Sequence, residues 1–169
     1  WGDPRLQPYV LFAHGWSSHG TRVTPWLPHL RGAGYAVVAF DQVAHGRSDG
    51  NQATLPEFAD HLAAVGRHFG PAAAIIGHSL GGAAAMLALA DGLEAARAIL
   101  IAPAADPVAA AERFSRVIRL PQHLARRMFI PFERRMHFDV DSLQVHRNAP
   151  RIGRPALIVH DMADREVPW

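Results

Sequence analysis

The stretch Gly77-His78-Ser79-Leu80-Gly81 lies between an apolar run, Ala73–Ile76, and an Ala-, Gly-, Leu- and Met-rich stretch that reaches about Ala90. The run reads as a buried strand, and the stretch as a helix closed by Asp91-Gly92. Gly-x-Ser-x-Gly at a strand-to-helix junction has a steric logic. The chain must turn sharply, which puts Ser79 in a strained conformation with its hydroxyl exposed. A side chain on either flanking glycine would collide with a neighbouring strand or helix. The helix N-terminus sets backbone N–H groups and positive dipole beside any negative charge that develops there. An ordinary serine in a Gly-rich turn is the plainer alternative, and the strand–turn–helix context disfavours it.

Outward from this turn, four more short runs read as strands: Tyr9–Ala13, Tyr35–Phe40, Ala98–Ile101 and Ala156–Val159. None alternates strictly, so the spacing predicts strands covered on both faces of a parallel sheet. Helical signals fill the first three gaps. Thr24-Pro25 reads as N-cap and first helical residue, with Gly32 or Gly34 as the stop. Thr54-Leu55-Pro56-Glu57 is a capping-box pattern. The helix that follows carries Phe58, Leu62, Val65 and Phe69 on one side and ends at Gly70-Pro71. The predicted fold class is α/β: a mostly parallel, doubly wound sheet with helices on both faces.

Residues 104–154 are too long for one crossover helix. They predict a helical cap inserted between the fourth and fifth strands, dividing the chain into core (1–103), cap (104–154) and continued core (155–169). Asp106-Pro107 reads as a helix start. Leu124, Met128, Phe132 and Met136 give a second amphipathic run that Pro131 should kink. The insertion holds ten Arg against five acids, the remainder seven Arg against ten acids. A solvated helical face accounts for that excess; an anion-attracting rim is the sharper alternative.

The 169 residues, 49% hydrophobic and 19% charged, suffice for one core. No apolar run reaches the roughly 18 residues of a membrane span. There is no cysteine, which excludes disulfides, thiolate metal sites and a Cys nucleophile. All 17 basic residues are Arg, which excludes a Lys base or Schiff base. No signal or transit peptide is recognisable, so a cytoplasmic protein is expected, although the chain opens at Trp1. The Arg-rich segment matches no nucleic-acid motif, and no nucleic-acid partner is expected.

Four segments in order resemble the α/β-hydrolase-fold serine hydrolases, over nearly the whole chain. They are Val10-Leu11-Phe12-Ala13-His14-Gly15-Trp16, then Asp41-Gln42-Val43-Ala44-His45-Gly46-Arg47-Ser48, then the Ser79 turn, then Ala156–His160 running into Asp161-Met162-Ala163-Asp164. The resemblance implies that Ser79 is the nucleophile and that the backbone N–H groups of Trp16 and Leu80 form the oxyanion hole. It implies that Asp164 is the acid of the triad. Such a site hydrolyses a small-molecule carboxylic ester, with thioesters and amides behind, through an acyl-enzyme and without a cofactor. A Ser at position 79 argues against the carboxylate-nucleophile chemistry of dehalogenases and epoxide hydrolases. The family order is Ser, acid, His. Only five residues follow Asp164, and none is His. We therefore expect a chain truncated at both ends, with little or no turnover of its own. An inactive relative, or a non-catalytic binding protein of the same fold, is the alternative.

The eleven histidines all precede Asp164. His14 is expected to brace its loop, His78 to be held in packing, and His160 to serve the end of its strand. His45 sits in a loop that could approach the site, with a structural role favoured. His61 and His68 share a helix face without a third ligand, so no metal is assigned. Asp106 is the runner-up acid, against a plain N-cap role. Asp41 either orients a catalytic group or ties its own loop. The Trp16 indole either lines a pocket beside Trp26 or beside cap residues such as Met128 and Phe132, or packs in the core.

Overall fold

The structure is a computed structural model that describes residues 1–125, 127, 130–136 and 139–167. Five parallel strands form one sheet: β1 (Tyr9–Ala13), β2 (Ala36–Ala39), β3 (Ala74–His78), β4 (Ala98–Ile101) and β5 (Ala156–Val159). Their spatial order is β2-β1-β3-β4-β5. All five predicted runs are strands, two of them trimmed or shifted by a residue or two. Their Val, Ile, Leu and Ala side chains suit a parallel sheet, whose strands bury both faces.

The crossovers place helices on both faces. On one face lie α2 (Leu55–Phe69), α3 (Leu80–Ala90) and α7 (Val145–Ile152), packed with Tyr9, Leu11, Ile75 and Leu100. The backbone N–H of Glu57 donates to Thr54 Oγ1 at 3.4 Å, which is the N-cap the sequence predicts. Helix α3 buries Gly81 through Leu89 without a break. Only small residues let a helix lie so close to the sheet.

The other face is covered more sparsely, by a 3₁₀ turn (Gly20–Trp26) and the short helix α1 (Leu27–Gly32). Val23 is fully buried there against Val10, Phe12, Val37 and Ile76. The expected helix start at Thr24 is not what forms. Thr24 Oγ1 donates to the Thr21 carbonyl at 2.5 Å, so its side chain serves the 3₁₀ turn, and the α-helix begins three residues later.

Strand β5 departs from the expectation of two covered faces. Leu157, Ile158 and Val159 are 58%, 60% and 49% exposed. Among the described residues they form the sheet edge, paired only with β4.

Between β4 and β5 run α4 (Pro107–Val117), α5 (Gln122–Ala125), α6 (Ile130–Met136), a 3₁₀ turn (Val140–Leu143) and α7. Asp106 caps α4, its Oδ1 accepting from the Ala109 N–H at 3.0 Å. The single kinked helix expected around Pro131 is instead the two short helices α5 and α6. Pro131 is the second residue of α6, where its missing N–H has no intrahelical partner to lose. Met128 lies outside the described residues. The local sequence pattern predicts no helix at α7, yet Val140, Leu143, Val145 and Ile152 all join the main core.

Candidate active site

In the sheet register Ala13 of β1 pairs with Gly77 of β3, and His78 pairs with Ile101 of β4, which pairs with Val159 of β5. The segments after these strands therefore emerge at one carboxyl edge: His14–Ser18, the Ser79 turn, Ala102–Asp106 and His160–Asp164. The strand order reverses between β1 and β3, which opens a crevice at that edge where ligands bind in open α/β sheets.

Ser79 has φ 53° and ψ −123°, in a region that L residues rarely adopt. Its surroundings enforce this. Its N–H donates to Ile101 O at 2.9 Å, and its carbonyl accepts from Gly82 N at 2.9 Å, Ala83 N at 3.3 Å and Ala104 N at 3.1 Å. A Cβ on Gly77 would come within 2.6 Å of the Gly82 Cα, and one on Gly81 would strike the carbonyls of Ala13 and His14. The two glycines are thus required where β1, β3 and α3 converge. Ser79 Oγ makes no hydrogen bond among the described residues and is partly exposed.

Gly15 lies against the serine: a Cβ there would come within 2.9 Å of the Ser79 Cβ. The next residue, Trp16, and Leu80, the first of α3, carry backbone N–H groups with no hydrogen-bond partner among the described residues. Two unengaged amides thus sit on the residues flanking the serine hydroxyl's crevice.

Buried His14 holds the loop that carries Gly15 and Trp16. Its Nδ1 lies 2.8 Å from Gly15 O, and its Nε2 accepts from the Gln42 N–H at 2.9 Å. A carbonyl only accepts, so the proton is assigned to Nδ1. Desolvation pushes this imidazole below its ordinary pKa, and the Gly15 carbonyl opposes that only in part. His14 is neutral at pH 7 and braces the loop, as the sequence suggested. His45 is structural as well, with Nδ1 2.9 Å from Val43 O. Asp41 ties its own loop to the turn after β1. Its Oδ1 accepts from Gly20 N at 2.7 Å and its Oδ2 from Arg47 N at 2.8 Å. The Gly20 amide is the main reason its carboxyl titrates below the usual range.

Asp164 Oδ1 accepts from the amides of Val167 and Glu166, both at 2.9 Å. Those donors, Val167 first, hold the carboxyl below its ordinary range, so it is ionised at neutral pH. Its Oδ2 lies 3.8 Å from His160 Nε2, which donates to Val167 O at 2.6 Å. His160 thus helps shape the turn that presents Asp164.

Two expectations are corrected. His78 is exposed rather than held in packing, and lines a 560 Å³ cavity with Arg22 and Trp26. Partial desolvation, then the Arg22 charge, lower its pKa. The Trp16 indole is neither in the core nor beside Trp26. It is 55% exposed and lies edge-on to His45 at 4.9 Å, while Trp26 packs on Phe12 at 5.8 Å. The Phe132 side chain and Met128 lie outside what the structure describes. Among the described residues no three His, Asp or Glu side chains are placed to share a metal.

A family profile described as serine aminopeptidase, S33, matches residues 4–144. Comparison with curated proteins gives no match. Solved structures of the same architecture are numerous. A monoacylglycerol lipase from Paleococcus ferrophilus is 22% identical, with 96% of this chain and 77% of that one covered and a TM-score of 0.69. An esterase (EaEST) from Exiguobacterium antarcticum is 18% identical, with 96% and 76% covered and a TM-score of 0.68. The 2-hydroxy-6-oxo-6-phenylhexa-2,4-dienoate hydrolase of Rhodococcus sp. strain RHA1 is 20% identical, with 99% and 77% covered and a TM-score of 0.67.

Proposed function

The chain belongs to the serine aminopeptidase S33 family of α/β-hydrolases, and on that premise we propose that it carries the nucleophilic half of a serine hydrolase site acting on a small carboxylic ester. Ser79 attacks the carbonyl carbon and forms an acyl-enzyme, which water then cleaves. The amides of Trp16 and Leu80 receive the negative charge of the tetrahedral intermediate. The described helices between β4 and β5 belong to the helical insertion, with the last of them, α7, rooted in the core.

The observation that carries this reading is the strained, over-determined backbone of Ser79 beside two unengaged amides. An ordinary turn serine would relax. Asp164 is the acid of the triad. It follows β5, which lies two strands from β3, about 10 Å at the usual strand spacing. Among the described residues no histidine hydrogen-bonds Ser79 Oγ. In this reading the base is a histidine that reaches Ser79 from beyond the described residues.

A fluorophosphonate probe tests the assignment, with and without added imidazole as a substitute base. Labelling should be weak, rise with imidazole, and vanish in Ser79→Ala. Labelling that is equal in Ser79→Ala, or absent at every imidazole concentration, would remove Ser79 as the nucleophile.

A further inference from the structure

A second cavity of 400 Å³ opens beside the loop that carries the Trp16 amide. Its wall includes Trp16, Ser17, Ser18, His19, His45 and Asn51. We propose that it is a subsite for a neutral, hydroxyl-rich part of the ester, the chemistry of a polyol or a sugar. The assignment rests on Ser79 being the nucleophile, because only then does the neighbouring Trp16 amide mark where the ester carbonyl lies.

The lining supports that class in three ways. First, the Trp16 ring is more than half exposed although it is the largest apolar side chain nearby. It is propped edge-on by His45 at 4.9 Å and stacked on Phe58 at 6.3 Å, interplanar angle 23°. A rigid, open indole face offers a platform for C–H groups at little entropic cost. Second, Ser17, Ser18 and Asn51 have side-chain hydrogen-bonding groups with no partner among the described residues. His45 Nδ1 is committed to Val43 O, which leaves Nε2 as a further hydrogen-bonding atom. Donors and acceptors are thus interspersed, as hydroxyls require. Third, no Asp, Glu or Arg lines the cavity among the described residues. The nearby Asp41 carboxylate is already taken by the Gly20 and Arg47 amides. A cationic substituent would lose hydration there and meet no carboxylate among the described residues.

Ser79→Ala protein holds esters without turnover, so binding can be read alone. Glyceryl monobutyrate, methyl 6-O-butanoyl-glucoside, ethyl butyrate and butyrylcholine are titrated by chemical-shift perturbation. The two hydroxylated esters should bind about fivefold tighter than the other two, the value of roughly one net hydrogen bond. The stronger of the two identifies polyol or sugar. Asn51→Leu combined with Ser18→Ala should abolish the advantage and leave ethyl butyrate unchanged. Equal affinities in the parent, or an advantage that survives the double variant, would overturn the subsite. The probe labelling described above reports separately on Ser79, so the two readings fail independently.

Discussion

The imidazole of His14 bonds the Gln42 amide at 2.9 Å through one nitrogen and the Gly15 carbonyl at 2.8 Å through the other. One buried ring thereby joins the loop after β1 to the loop after β2, next to the serine.

This ring makes stability pH-dependent. Its folded pKa lies below its ordinary value, so the unfolded chain takes up the proton first on acidification. The contribution is complete above about pH 6.5, the unfolded value, and is lost as the pH falls from there towards the folded pKa. Urea unfolding at pH 8 and pH 5.5 should show a larger loss for the parent than for His14→Gln. Parallel losses would exclude His14 as a source.

Ser79 stores backbone strain, and removing it should stabilise. Ser79→Gly is expected to gain about 1 kcal/mol, seen as a rise of about 2–4 °C in Tm. Ser79→Ala loses the hydroxyl but keeps the disfavoured φ, and should not gain. Equal Tm for both variants would mean that the turn is relaxed.

Gly81→Ala should be among the costliest single-methyl changes in the chain. The added carbon meets the carbonyls of Ala13 and His14, backbone atoms that cannot rotate away. A loss of about 3 kcal/mol is expected by chemical denaturation. Gly32→Ala, whose new methyl meets nothing within 4 Å, serves as the control and should be stable or slightly improved. A near-neutral Gly81→Ala would show that α3 can retreat from the sheet.

Asp41→Ala removes the acceptor for two amides, from Gly20 and Arg47. A cost of about 2 kcal/mol is expected at pH 7. Because the folded carboxyl titrates below its ordinary value, the parent's advantage should persist down to about pH 4 and fade below it. An advantage that is flat down to pH 2 would mean that charge plays no part.

Much of this was legible without coordinates. Short apolar runs located every strand, although β5 is exposed rather than covered on both faces, and the Thr54 cap and Gly70 stop bounded α2. The Ser79 turn was legible because its glycines are dictated by backbone contacts rather than by side-chain choice. Local signals failed where tertiary contacts decide. Thr24 looked like a cap, but its hydroxyl turned to Thr21. Helix α7 went unread because Pro150 and its basic residues mask a face that only burial against α3 reveals. His78 was expected to be packed because it directly precedes Ser79, yet its ring is exposed, which no local signal specifies. The 3.8 Å approach of His160 to Asp164 likewise depends on a turn that no spacing rule specifies.

The N–H of Ala104 ends on the carbonyl of Ser79, at 3.1 Å. The excursion from β4 towards α4 is therefore tethered, at its first step, to the very residue whose alcohol is reactive in our proposal. Pulling, swapping or redesigning that excursion is felt first as tension on the reacting turn. Grafts made there should keep residues 102–104 untouched, or the alcohol will lose its aim before any contact with substrate has changed.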